Sequence, residues 1–178
     1  MSVLILGNPI LRETSQWITD FENKTDFIEL KKELEEFRRI NGFGRGIAGI
    51  QIGIKKRIIA LNFGEGPFVI VNPKIVYRSS ELFTMWDDCM SFPDLLVRVE
   101  RSKTINIRYQ DEDGNNREWN DIEQATAELL QHEMDHLDGI LAIDRAIKKT
   151  DIIYRNEYLK NKDIYDAMVE YGIKATIK

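Results

Sequence analysis

Two histidines are the whole histidine content of this chain, and they lie four residues apart in His132-Glu133-Met134-Asp135-His136. On a helix, residues at i and i+4 share one face, so two imidazoles can reach one metal ion. The glutamate beside the first histidine projects near that face and can act on a water as general base. The same residues could also be two solvated histidines on a surface helix. Ala125, Leu129, Leu130, Met134 and Leu137 supply such a helix with an apolar side for packing.

Two protein ligands seldom make a catalytic metal site; three plus an open position is usual. A third histidine in the metzincin spacing would fall at Ala142, so that pattern fails. Glu157 is a downstream carboxylate, but Arg155, Asn156 and Lys160 around it read as an exposed charged face. Cys89, the single cysteine, is the remaining candidate. Thiolate and two imidazoles suit Zn²⁺ or Fe²⁺. Read alone, Cys89 fits a buried core cysteine better than a ligand. Asp87 and Asp88 precede it, but adjacent residues point apart, which speaks against a paired-carboxylate site.

Gly44-Arg45-Gly46-Ile47-Ala48-Gly49 matches G-x-G-x-x-G literally. A dinucleotide site needs a strand before it and a helix after it; here a charged helix precedes and a strand follows. The glycines read instead as backbone that approaches a ligand closely. Gln51 at the end could donate its amide to an oxygen developing negative charge, or be an ordinary loop glutamine.

The elements that must position these residues are read from periodicity. Residues 26–40 read as a helix, with Asp26 and Glu29 as a capping box, a stripe of Phe27, Leu30, Leu34 and Phe37, and Asn41-Gly42 as its end. Short strands are predicted at 57–62, 68–72, 95–99, 103–109 and 116–120. A helix is predicted over 122–137, capped by Asn120 or Asp121 and ended by Gly139. Residues 151–171 read as a final helix capped by Thr150, with a ragged apolar stripe. Strands in the middle flanked by helices give an α+β class.

The 178 residues suit one domain, expected over 1–178 as a single catalytic unit. Composition is ordinary, 43% hydrophobic and 31% charged. The net charge of −5 disfavours general attraction to DNA or anionic membrane. No apolar run approaches the ~18 residues of a membrane span. The first residues lack a basic n-region, so a cytoplasmic location is the expectation.

Taken together, three ordered segments resemble those of the peptide deformylase family. They are Gly44-Arg45-Gly46-Ile47-Ala48-Gly49-Ile50-Gln51 for the G-x-G-x-A-A-x-Q type, Asp87-Asp88-Cys89-Met90-Ser91 for the E-G-C-L-S type, and His132-Glu133-Met134-Asp135-His136-Leu137-Asp138-Gly139 for H-E-x-D-H-L-x-G. The likeness runs over roughly residues 4–147. It implies antiparallel sheets packed around a central metal-binding helix. It implies hydrolysis of the formyl group of N-formylmethionyl peptides with release of formate, on nascent chains near the ribosome exit. Carried over, Cys89, His132 and His136 hold one divalent ion, typically Fe²⁺, with Zn²⁺, Ni²⁺ or Co²⁺ able to substitute. Glu133 moves a proton from the attacking water to the leaving amine. The Gln51 amide and the Met90 backbone N–H stabilise the oxyanion. Gly46, Arg45 and Ile47 are expected on the substrate side; Ile47, Ile50 and Leu129 could wall a methionine side chain or equally be core.

The chain departs from the pattern in three places. Asp87-Asp88 replaces Glu-Gly, Arg45 replaces an apolar residue, and Leu95-Leu96 stands where an arginine often helps order the site. These departures admit an altered acyl-amine preference, and Arg45 would favour acidic residues past the methionine. A zinc endopeptidase without Cys89, or a non-catalytic relative that binds N-termini, are the competing readings.

Overall fold

The computed structural model describes residues 3–172. The first long element is helix α1, Thr25–Asn41. It starts one residue before the expected cap, and the Thr25 N–H is taken by the Asn23 side chain, so the Asp26/Glu29 capping box does not form. Gly42 ends it in the left-handed region, φ 73°, as glycine does at low cost.

Beyond α1 the chain forms eight strands: β1 (Gly46–Ala48), β2 (Ile58–Leu61), β3 (Phe68–Arg78), β4 (Leu82–Asp87), β5 (Leu95–Ser102), β6 (Ile105–Gln110), β7 (Asn116–Ile122) and β8 (Ile152–Tyr154). Strands β1-β2-β3-β6-β7 form one sheet and β4-β5-β8 a second, with antiparallel pairing throughout both. The α+β expectation holds. Strand β3 runs well past the predicted Asn72 because its pairing with β6 shifts register between Val71 and Lys74. Pro73 lies inside that shift, where a missing N–H costs no ladder bond. Asn72, at φ 52°, ties the irregularity down by exchanging side-chain bonds with Ile18 N and O.

Helix α2, Gln124–Leu137, is the centre of the molecule: every residue from Ala127 to Leu137 is buried. It begins after Ile122, since β7 consumes the residues expected to cap it. The five-stranded sheet presents its two faces to the two helices by strand alternation. Ala48, Ile59, Leu61 and Ile70 join Leu130, Met134 and Leu137 of α2 in one core. Ile47, Ile58, Ala60, Val69 and Val71 join Phe27, Leu30 and Leu34 of α1 in another. A third core around β4 and β5 includes Met85, Val97, Val99 and Cys89.

The expected helix over 151–171 is not formed. The chain makes β8, then two short helices, α3 (Arg155–Lys160) and α4 (Lys162–Asp166). Asn161 breaks them at φ −127°, ψ 37°. The ragged stripe had no core to face: Leu159 and Ile164 are exposed, and Ile152 and Ile153 pair with β5 instead.

Candidate metal centre and cleft

Cys89 lies just past β4, and a tight turn closed by Phe92 N–H donating to the Cys89 carbonyl (3.1 Å) aims its sulfur inward. Sγ lies 3.2 Å from His136 Nε2, and the two Nε2 atoms of His132 and His136 are also 3.2 Å apart. All three side chains are buried, and their donor atoms lie within 4.8 Å of one another. The helix spacing supplies two of these ligands; the β4–β5 turn supplies the third. Glu157, the alternative ligand, sits on α3, engaged by Asn161 Nδ2 (2.7 Å).

The set fits a divalent cation on its own chemistry. Asp87 accepts from His132 Nδ1 at 2.9–3.0 Å. A carboxylate only accepts, so Nδ1 carries the hydrogen and Nε2 keeps its lone pair for the Cys89–His136 side. A carboxylate behind a metal-bound imidazole is the common arrangement. Asp87 itself receives Arg101 Nη2 at 3.0 Å. Arg101 also holds Asp135, which Arg145 meets from the other side at 2.8 Å. Burial pushes the Asp87 carboxyl up, but His132 and Arg101 outweigh it and hold its pKa at about 2. The substitution of Asp for Glu at position 87 therefore keeps the carboxylate in place.

Glu133 is buried, with Oε2 lacking a hydrogen-bond partner among the described residues. Burial, opposed by the nearby His132, raises its pKa to about 7. That is the range in which a carboxylate both takes and returns a proton at neutral pH. Gln51 sits in a short 3-10 turn after β1. Its Oε1 accepts from Ala48 N–H at 2.8 Å, which turns Nε2 toward Cys89 Sγ (3.6 Å) and Ser91 Oγ (3.3 Å). The Met90 N–H, in the next peptide after Cys89, makes no hydrogen bond to another described residue.

These groups line a cleft of about 890 Å³. Gly46 gives Glu133 its room: a Cβ there would stand 3.2 Å from Glu133 Cγ and Oε1 and from Leu129 Cδ1, so those side chains would have to shift by a few tenths of an ångström. Arg45 also lines the cleft. Its guanidinium pairs with Glu128, and both side chains are mostly buried. The charge expected to attract acidic peptides is thus answered within the protein. Ile47 is a correction. It was expected against the substrate, but it is fully buried in the α1 core and does not line the cleft. Strand alternation sends it to the face opposite Gly46 and Ala48. Ile50 is likewise core, while Leu129 does line the cleft.

Sequence reasoning missed Glu128, although its place four residues before His132 puts it on the same helix face. It also missed Arg101 and the far wall of the cleft, where Arg155, Tyr158, Lys162, Asp166 and Tyr171 stand. Asp88, the unusual residue beside Cys89, pairs with Arg155 at 2.9 Å. Trp86 Nε1 donates to Tyr165 O at 2.8 Å, fixing the same wall.

The model of the family described as polypeptide deformylase matches residues 1–151. A peptide deformylase of Bartonella tribocorum is 34% identical over 178 residues, covering 94% of this chain and 98% of its own. The crystal structure of peptide deformylase from Thermotoga maritima superposes with a TM-score of 0.73 at 33% identity, covering 82% of this chain and 97% of that one. A peptide deformylase from Synechococcus elongatus in complex with actinonin gives a TM-score of 0.76 at 28% identity, over 92% and 86% of the two chains. With the ordered motifs and the Cys89–His132–His136 convergence, these likenesses mean that the chain belongs to the polypeptide deformylase family.

Proposed function

We propose that this chain hydrolyses the formyl amide at the amino end of N-formylated peptides, N-formylmethionyl nascent chains in the first place, and releases formate. The observation that carries the reading is the convergence of Cys89, His132 and His136 beside a buried Glu133 with a free carboxylate oxygen. A divalent ion held by those three residues would supply Lewis acidity and bring the pKa of a coordinated water toward ~7. We take Fe²⁺ as the working ion, with Zn²⁺, Ni²⁺ and Co²⁺ as substitutes, since thiolate and imidazole accept all four.

The chain's own residues then have separate tasks. Glu133 accepts the proton of the attacking water and returns it to the departing amine, which its raised pKa suits. The Gln51 amide, oriented by Ala48 N–H, and the Met90 N–H donate to the oxygen that gains charge. Removing one such donor costs about 3 kcal/mol in the transition state. Gly46 and Leu129 hold the substrate side of Glu133.

A pure N-terminus-binding relative has no use for Glu133, and an endopeptidase needs a third ligand other than Cys89. One observation favours an altered acyl-amine preference within the deformylase reading: the Arg45–Glu128 pair in the cleft. The test is to purify the protein without oxygen, measure bound metal, and follow formate release from formyl-Met-Ala-Ser, with Glu133→Gln alongside. Formate release by the wild type and its loss in the metal-loaded variant are expected. A metal-loaded wild type that frees no formate from any formyl peptide refutes the reading.

A further inference from the structure

The segment that carries Gly46 past Glu133 carries Arg45 immediately before it. Helix α2 places Glu128 on the side of the cleft shared with His132 and Glu133. The Arg45 guanidinium bridges the Glu128 carboxylate and the Ala125 carbonyl. Its relative exposure is 12% and that of Glu128 3%. The wall beside the general base is therefore a desolvated ion pair. Burial raises the Glu128 pKa to about 7 against the pull of Arg45, which fits a pair largely withdrawn from water.

Such a wall changes what a substrate side chain gains on entering. An apolar chain gains burial only where it displaces water from apolar surface; against Arg45 and Glu128 it meets polar atoms. A side chain with a neutral acceptor can bond to the guanidinium. Two of the five guanidinium N–H donors serve Ala125 and Glu128. An anionic side chain would face Glu128, and a cationic one Arg45, so neither charge is favoured.

We propose that Arg45 and Glu128 are the specificity-determining residues of this cleft, and that they make it accept formylated peptides whose first side chain is uncharged and carries a hydrogen-bond acceptor at least as well as peptides with an unbranched apolar one. This rests on the deformylase reading and names the side-chain class for it.

The test compares kcat/KM for formyl-X-Ala-Ser with X as norleucine, methionine, methionine sulfoxide and glutamine. The enzymes are the metal-loaded wild type and the Arg45→Leu/Glu128→Leu double variant. For the wild type, the sulfoxide and glutamine peptides are expected to equal or exceed norleucine. In the double variant the norleucine-to-glutamine ratio should rise at least about tenfold, the scale on which apolar pockets discriminate. A wild type that turns over the norleucine peptide faster than the glutamine and sulfoxide peptides overturns the proposal, and this arm stands whether or not the double variant folds. A folded, metal-loaded double variant with an unchanged ratio overturns it too. Formate release with the wrong ranking refutes only the assignment of Arg45 and Glu128; no release from any of the four peptides refutes the deformylase reading and the assignment together.

Discussion

Asp87→Asn perturbs the metal centre without touching a ligand. Asp87 stands between His132 Nδ1, at 2.9 Å, and Arg101 Nη2, at 3.0 Å. Both neighbours donate, and the carboxylate has an acceptor oxygen for each. An asparagine has one carbonyl oxygen and an NH₂ group of donors. It can satisfy His132 or Arg101, and it turns donor against donor at the other. Arg101 is 5% exposed, so its charge is then balanced by Asp135 alone. Loss of one partner from a buried pair costs about 3–5 kcal/mol, which for a chain of this size is a fall in Tm of about 6–20 °C. Freed from its orienting carboxylate, His132 should bind metal less well, by about 10–100-fold in overall affinity. Chelator competition with Zn²⁺ and calorimetric unfolding measure the two effects. Asp87→Glu keeps both acceptors and should recover most of the affinity. A variant Asp87→Asn with affinity within about twofold of the wild type and an unchanged Tm would refute the reasoning, because the carboxylate would then not be orienting His132.

Three further predictions rest on separate contacts. Gly139→Ala should destabilise the fold strongly: the residue has φ +71°, and its Cβ would stand 2.5 Å from the Arg12 carbonyl oxygen, so the strain of about 1–2 kcal/mol for a left-handed residue is a lower bound that thermal unfolding can check. Burial outweighs the pull of Arg45 and raises the Glu128 pKa from the ordinary 4.5 to about 7, so the unfolded chain ionises first and the Arg45–Glu128 ion pair is complete only above that pH. Stability should therefore fall as pH rises from 4.5 to 7, by up to about 3 kcal/mol. Urea titrations of wild type and Glu128→Gln should diverge over that window and not below it. Asp88→Gly removes the pairing with Arg155, a contact whose partners are each about a third exposed. Global stability should change by less than about 1 kcal/mol, while hydrogen exchange over 155–166 accelerates.

Helix α2 and the end of α1 were legible because their signals are local. The spacing of His132 and His136 and the glycine at position 42 depend only on helix geometry over one turn. The strand at 105–110 was legible from the alternation of Ile105, Ile107 and Tyr109 and that at 58–61 as a short apolar run, but β4 was not, since Leu82–Asp87 ends in apolar residues and an acid that are all buried. The final segment misled for a related reason. Its apolar residues are spaced irregularly: pairing with β5 takes Ile152 and Ile153, and the helical tendency of the residues that follow survives only as α3 and α4, split at Asn161.

The sequence by itself determined that two imidazoles share a helix face with a carboxylate beside it and, through ordered motifs, to which family the chain belongs. Those properties live within a few residues of one another. Only the tertiary structure decided what surrounds them: that Cys89 meets His136 across 47 positions, that Arg101 ties Asp87 to Asp135, that Ile47 turns into the core, and that Arg45 is held by Glu128 across 83. Such pairings depend on the path of the whole chain. Desolvation then sets their chemistry, because a carboxylate in water and one sealed beside an arginine are different groups.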